Sequence, residues 1–577
     1  MTNLENMLIL ETNKKDKMKY NKRIFKLFSF TSLGIVSLIF YLFISNNVKL
    51  LFYDSSHVNN QKKILRFDSI LQLRDAILQT GQIVFTENYF TVDDGGGSKY
   101  YIRKATIGDI DDSGSIIKLK NGNVAVLEAD KTVNISQFGA RGNAWYYNTD
   151  DNRWYEDCNF SIPAADDSIA IQNAINYAAS TGNSVTITAC PENSYYFSKD
   201  IIITTPHITI DMKNARIVSN ARFHFKGNKD SINGALEDDS LLLEDVHFCN
   251  ANFGDPNNFD VACRGPKMEY VLNSSISNCT KNARGGTSFN LSFAKNCQIY
   301  NVHNYGARPI GEKDTIGILL YHTINCVVKD CTVGGPGQWI YGVQQKGGYD
   351  NQWVNITCHD MSDISRGNII RDRGDAPYHA SSSKGPYPYK TGNWAQSDNR
   401  RASHNTKFIN CTAFNIPPKA VGFKAREARG TKFIDCKAKN ARGIYLQKDA
   451  LAPVDYDDHY EIINFTGENV ALPIGISSNS SIPIEHAVID GVTINTIQPI
   501  SKIKNNAIVI NNVCNLKFSN ATIKNIANIS GHVINLYKVK NSVFKNIRLI
   551  NSQFTDKKSL ISIADTCFGI HFIDCSF

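Results

Sequence analysis

Six glycines set a register in the middle of this 577-residue chain. Gly317, Gly342 and Gly367 fall 25 residues apart, and Gly422, Gly443 and Gly475 continue the pattern after an insertion. A short strand-like run follows each one, and a strand alternates its side chains between two faces. The first and third residues after each glycine are then inward: Ile318/Leu320, Val343/Gln345, Asn368/Ile370, Phe423/Ala425, Ile444/Leu446 and Ile476/Ser478. Most are apolar or small, as a core demands. The fourth position reads Tyr321, Lys346, Arg371, Arg426, Gln447, Asn479, and the second reads Leu319, Gln344, Ile369, Lys424, Tyr445, Ser477. Both point outward. Adjacent strands lie about 4.8 Å apart, so four rungs give a polar, cationic column about 15 Å long, the length of a few sugar units. Its arginines can pair with carboxylates, and Lys346 and Tyr321 are side chains able to move a proton.

The segment Gly374 to His404 leaves the repeat between the Arg371 and Arg426 rungs. It holds His379, Tyr387, Tyr389, Lys390, Trp394 and Arg400 among others. A charged solenoid face is by default only a solvated face, but a long loop inside a regular repeat is more often functional than accidental. Aromatic rings stack on sugars, so His379 and Tyr387 are expected to wall a groove over the column.

Elements able to hold such a column are visible on both sides of it. After Ile201, short β-branched and aromatic runs alternate with Asn, Gly and Asp, as in Phe408-Ile409-Asn410-Cys411 and Phe433-Ile434-Asp435-Cys436. Repetition every 20–30 residues without intervening helices predicts a parallel β-solenoid. Asn at the turns tolerates the left-handed backbone conformation. The 14 cysteines include no CxxC pair and no zinc-site spacing, so they read as small side chains stacked inside the solenoid. A net charge of +8 without a basic stripe gives no support to nucleic-acid binding.

Residues 1–23 are a basic tail, and 24–44 are apolar enough for the about 20 residues that cross a bilayer. They predict a single-pass signal-anchor with the N-terminus cytoplasmic. Residues 45–63 read as a linker, 64–132 as a small α+β segment, and 133–577 as the solenoid. Within 64–132 the pattern predicts a helix over Phe67–Leu78 and strands at Val84-Phe85 and Tyr89–Val92, with Asp93-Asp94-Gly95-Gly96-Gly97 as a turn. That glycine run lacks the Lys-Ser/Thr and helix of a phosphate-binding loop.

The most specific stretch opens the solenoid. Phe138-Gly139-Ala140-Arg141-Gly142 is followed, after an insertion from Ala144 to Pro163, by Asp166-Asp167-Ser168-Ile169-Ala170-Ile171-Gln172-Asn173-Ala174-Ile175. Val185-Thr186-Ile187, Pro191 and Tyr195 come next. Asp166 or Asp167 is a natural N-cap, and Ile171, Ala174, Ile175 and Ala178 form one apolar helix face. That face would cap the open end of the solenoid. This pattern resembles the opening of pectate-lyase-superfamily proteins, including tailspike depolymerases. The chain departs from it in the insertion and in Cys190-Pro191-Glu192, where a Gly is usual. The resemblance implies an all-β fold, a right-handed single-stranded parallel β-helix with an N-terminal capping helix. It also implies cleavage of an acidic polysaccharide, and it leaves a homotrimer open.

Two reactions compete under that implication. A lyase removes the proton beside a uronate carboxylate and needs a base and a cation. Lys346 or Tyr321 would be the base, and Arg371 and Arg426 would clamp the carboxylate, with Lys424, Gln344, Tyr445 and Gln447 binding neighbouring sugars. A glycoside hydrolase needs two carboxylates. The outward column as read here has none, which favours the lyase; a uronate epimerase or a binding module would share the groove. Asp455-Asp457-Asp458 and Asp111-Asp112 are weak candidates for a Ca2+ site, and no other cofactor is expected. The expected setting is a bacterial inner-membrane enzyme whose β-helix faces the periplasm or exterior and acts on a capsular or other surface glycan.

Overall fold

The computed structural model describes residues 64–577 except 234–235, 256–257, 259–260, 307–315, 336–337, 340, 362, 365–367, 374–402, 417–419, 427, 449–458, 480, 498–505, 527–530 and 551–559. From residue 132 onward the short period-2 runs pair in parallel. Thirty-four strands among the described residues join one continuous sheet that coils upon itself, each strand pairing with its equivalent in the next coil. This is the parallel β-helix that the pectate-lyase resemblance implies. Inward positions form a single apolar column from Val133 to Leu560. The rings of Phe197, Phe223, Phe248, Phe253 and Phe289 make successive contacts at 5.1–5.9 Å along it.

The corners explain the abundance of Asn. Asn250, Asn278 and Asn301 all have φ between 51° and 56°, the left-handed region that Asn enters at low cost. Each side-chain amide donates to the residue one coil below. Asn301 donates to Asn278 at 2.8 Å, Asn278 to Asn250 at 3.1 Å, and Asn250 to Asp211 at 2.8 Å. Asn410, Asn355 and Asp330 repeat the device at 2.9 and 2.8 Å. Both of these ladders start on a carboxylate, Asp211 and Asp330, which when ionised only accepts.

The cysteines are all free thiols. Eight are buried, five intermediate, and Cys158 alone is exposed. The Cys297 amide donates to Cys326 Sγ at 3.4 Å, showing thiols stacked between coils. Burial pushes the Cys331 thiol up to about 12.

Helix α2 (Ser168–Thr181) follows α1 (Ile70–Asp75) in the chain and closes the N-terminal end of the solenoid. Ile171, Ala174, Ile175 and Ala178 are buried in the same core as Phe138 and Val185. Asp167 occupies the N-cap position without capping through its side chain. Its carboxylate instead accepts the amides of Arg141 at 2.7 Å and Gly142 at 3.2 Å, which joins the two halves of the sequence motif across the insertion. Asp166 accepts the Ser168 amide at 3.0 Å and so satisfies the first turn.

Residues 65–127 form a second sheet in the order β1 (Leu65–Phe67), β2 (Ile83–Thr86), β3 (Ser98–Lys104), β5 (Asn123–Leu127), β4 (Ile116–Lys118). Helix α1 is shorter than expected because the Ala76 amide closes the turn on Leu73 and the chain extends from there. Tyr89–Val92 is not a strand. The Asp94 carboxylate accepts the amides of Tyr89, Phe90 and Thr91 and folds them into a loop.

The expected inner-membrane localisation is corrected. Among the described residues no helix is long and apolar enough to cross a membrane. Residues 1–63, with the proposed tail, span and linker, lie outside the described residues.

Candidate functional site

One face of the solenoid carries the predicted column. Its strands, in chain order, are β6 (Phe223–Lys226), β7 (Lys267–Glu269), β8 (Phe289–Ser292), β9 (Ile316–Ile324), β10 (Tyr341–Tyr349), β11 (Asn368–Arg373), β12 (Val421–Arg426), β13 (Arg442–Lys448) and β14 (Thr466–Ser478). Each pairs with the next in parallel.

Tyr321 and Lys346 are register partners, as the glycine spacing predicts. The Lys346 ammonium lies 5.0 Å from the centre of the Tyr321 ring, within cation–π range. Beyond Lys346 the register differs. Arg373, not Arg371, is the partner of both Lys346 and Arg426. Arg371 belongs to the neighbouring column, between Gln344 and Lys424. The reason is that Ile369, rather than Gly367, stands at the position of Gly422. A slip of two residues keeps the face of a strand and changes only its column. The last rung slips likewise: Ser477, not Asn479, partners Gln447, because Gly475 pairs with Tyr445 rather than standing level with Gly443.

Arg426 continues to Gln447, and Lys424 to Tyr445. The Lys424 ammonium lies 5.3 Å from the centre of the Tyr445 ring, a second cation–aromatic pair on the same face. Gln344 is buried, so it forms floor rather than rim. Inward-facing Gln345 is buried and fully engaged: it donates to Ser403 and Thr406 at 2.9 and 2.7 Å and accepts from Trp353 at 3.2 Å. His379, Tyr387 and the rest of the 374–402 loop lie outside the described residues, as do Asp455, Asp457 and Asp458. Asp111 is held by Arg74, and Asp112 accepts the amides of Gly114 and Ile116. Among the described residues no group of three or more metal-ligating side chains comes together.

The column extends further toward the N-terminus than the glycines indicate. Tyr321 partners Ser292, Ser292 partners Glu269, and Asn290 partners Lys267. The expectation of an outward column without carboxylates is therefore corrected at Glu269. Its carboxylate contacts His224 Nε2 and Lys267 Nζ, both at 2.6 Å. Burial raises the Glu269 carboxyl, but hydrogen bonds from His224 and Lys267 outweigh it and leave it at about 2. An ionised, fully engaged carboxylate is a poor general acid. Asn290 and Ser292 point away from the core yet are buried, so this end of the face is the floor of a cleft.

The corner beside the column is unusual. Tyr270, Phe293, His322 and Gly347 directly follow Glu269, Ser292, Tyr321 and Lys346, and all have φ between 51° and 68°. Bulky aromatics seldom adopt this region, and such strain concentrates at functional sites. Here the rings stack on one another: Tyr270 on Phe293 at 4.8 Å and Phe293 on His322 at 5.5 Å, while Tyr321 meets Phe293 edge-on at 5.4 Å. The stack fixes one side of Tyr321 and of the cleft. Its sequence signal is an aromatic one residue after Glu269, Ser292 and Tyr321.

No protein-family model and no curated protein matches the chain. Solved structures similar to it include the tailspike protein gp49 of Acinetobacter baumannii bacteriophage Fri1, a capsular polysaccharide depolymerase, at 12% identity and a TM-score of 0.42 over 89% of this chain and 76% of that one. The A-module of the Azotobacter vinelandii mannuronan C-5 epimerase AlgE6 matches at 11% identity and a TM-score of 0.43, over 76% and 98%. PfbA, a surface adhesin of Streptococcus pneumoniae, matches at 11% identity and a TM-score of 0.39, over 77% and 93%.

Proposed function

We propose that this protein is a polysaccharide-degrading enzyme, and that it cleaves an acidic, uronate-containing glycan by β-elimination. The observation that carries this reading is the pairing of Tyr321 with Lys346 at the head of a cationic register containing Arg373 and Arg426. Elimination at a uronate needs a base at C5 and positive charge at the carboxylate, where negative charge builds as the proton leaves. Tyr321 takes the C5 proton. Tyr321 acts as the tyrosinate; the C5 electron pair forms the C4–C5 double bond, the C4–O bond breaks, and the departing oxygen takes from Tyr321 the proton that came from C5. Lys346, Arg373 and Arg426, which share one column, stabilise the charge on the carboxylate, while Tyr445 and Lys424 hold a neighbouring sugar. Among the described residues the face offers one carboxylate, Glu269, already ionised and engaged, and a hydrolase needs two.

The test follows unsaturated-uronate absorbance and reducing ends together, with the full chain and a panel of uronate polysaccharides. Both rising together is the expected result. Reducing ends without absorbance would mean a hydrolase. Binding without either signal would mean an epimerase or a binding module.

A further inference from the structure

We propose that Arg222 and Arg264 form a second anion-binding subsite in this cleft, one that takes the carboxylate of a uronate unit several sugars from Lys346. The inference rests on the acidic-glycan reading for the identity of the anion, and on the arginines themselves for the existence of the site.

Arg222 immediately precedes β6, and Arg264 lies just before β7, so adjacent coils bring them to one edge of the sheet face. Their backbones are fixed: the Arg222 amide donates to Asp200 at 3.0 Å and the Arg264 amide to the Ser219 carbonyl at 3.2 Å. The guanidinium groups are close enough to repel. Burial, and then the neighbouring Arg264, push Arg222 below its ordinary value.

A half-buried guanidinium ordinarily faces a carboxylate, because a desolvated charge without a partner is costly. Arg103 faces Asp109 at 2.7 Å, Arg74 faces Asp111, and Arg216 lies 3.9 Å from Asp255. Arg222 and Arg264 form no ion pair among the described residues, although Asp200 and Glu269 lie near enough to attract Arg222. Arg264 Nε is buried with no hydrogen-bond acceptor. The nearest column carboxylate, Glu269, is occupied by His224 and Lys267. The two arginines thus present donors with nothing in the described protein to accept from them. Paired guanidinium groups match the planar, bidentate geometry of a carboxylate.

Three to four rungs separate them from Lys346, about 14–19 Å along the solenoid axis. Between them lie the buried Asn290 and Ser292 and then Leu319 and Tyr321, before the rung of Gln344 and Lys346. A chain bound at Lys346 and running along these rungs places a later acidic unit at the arginines.

The test uses the full chain in a Lys346→Ala/Arg426→Gln background, so that uronate binding at the reaction site does not mask the signal. The probes are glucuronate, glucose and inorganic sulfate at tens of millimolar, and the readout is the shift in Tm. Glucuronate is expected to raise Tm by a few degrees, glucose not to do so, and Arg222→Gln/Arg264→Gln to abolish the shift. Arg264→Gln alone, without ligand, is expected to raise Tm by relieving the repulsion, which also keeps the test alive if the double variant folds poorly. Equal glucuronate shifts with and without the arginines overturn the subsite. A sulfate shift with none from glucuronate overturns the uronate assignment in favour of an inorganic-anion site. Neither readout requires cleavage, so an enzyme silent on every polysaccharide would sink the proposed reaction and leave the subsite to be judged on its own result.

Discussion

The ammonium nitrogen of Lys346 lies 5.0 Å from the centre of the Tyr321 ring, and the two residues are partners on adjacent strands. The contact itself is worth only about 0.5–1 kcal/mol at a partly exposed site. Its larger consequence is positional, since it holds a proton-transfer group and a cation within reach of one sugar. Tyr321→Phe removes the hydroxyl and keeps the ring packed on Phe293. It should lower kcat by about 10²–10⁴ while leaving Tm nearly unchanged. Lys346→Ala should lose activity as well. Unsaturated-uronate absorbance beside a thermal melt checks both, and full activity in either variant removes that residue from the mechanism.

Register ranks the two arginines of β11. Arg373 shares a column with Lys346 and Arg426, whereas Arg371 sits beside Gln344 and Lys424. Arg373→Gln should therefore cost about 10²–10³ in kcat, and Arg371→Gln should chiefly raise KM. Steady-state kinetics on the two single variants decides it; the opposite ranking would restore the order read from the glycines.

Glu269 makes stability depend on acid pH. Its folded-state carboxyl titrates near 2, against an ordinary 4.5. A depressed acid contributes stability that is present above about 4.5 and lost as the pH falls through about 2. The full contribution is about 3 kcal/mol. Melts from pH 2 to 6 should show the wild type gaining on Glu269→Gln up to about pH 4.5, with a constant difference above it. A difference flat across that window would mean that His224 and Lys267 do not hold the charge.

The asparagine corners separate backbone strain from hydrogen bonding. Asn410 has φ 51° and donates to Asn355 at 2.9 Å. Asn410→Ala should lose about 2 kcal/mol, from the left-handed conformation and the lost ladder bond together. Asn410→Gly removes the strain and should lose about half as much. Equal destabilisation of the two variants in urea unfolding would show that the corner tolerates a side chain there.

Much of this arrangement is legible in the sequence. Ile318, Val343, Phe423 and Ile444 are inward and buried because alternation has period two, and a slip of two residues cannot turn a side chain over. The same arithmetic places Arg371: glycine marks the face and not the column, since Ile369 stands where the spacing predicts a glycine. Glu269 stands four residues after Gly265, in the same phase as the later rungs, but Ser288 fills the intervening glycine position and breaks the series there. Asp167 was legible as a helix-start residue, but its bonds to Arg141 and Gly142 cross 25 or more positions and have no local signature. Asp94 overrode the strand pattern of Tyr89–Val92 in the same way, by collecting three amides at once.

The stacked thiols give the molecule a built-in counter. Cys158 is the one exposed cysteine of 14, and eight are sealed between coils. A thiol reagent should therefore mark an intact molecule once at full speed, at a position on the insertion that interrupts the opening motif. Beyond the five partly exposed thiols, every further equivalent reports coils that have parted. The same single address is a place to attach a dye or a surface, 65 residues before Phe223, where the Tyr321–Lys346 face begins, and outside its core.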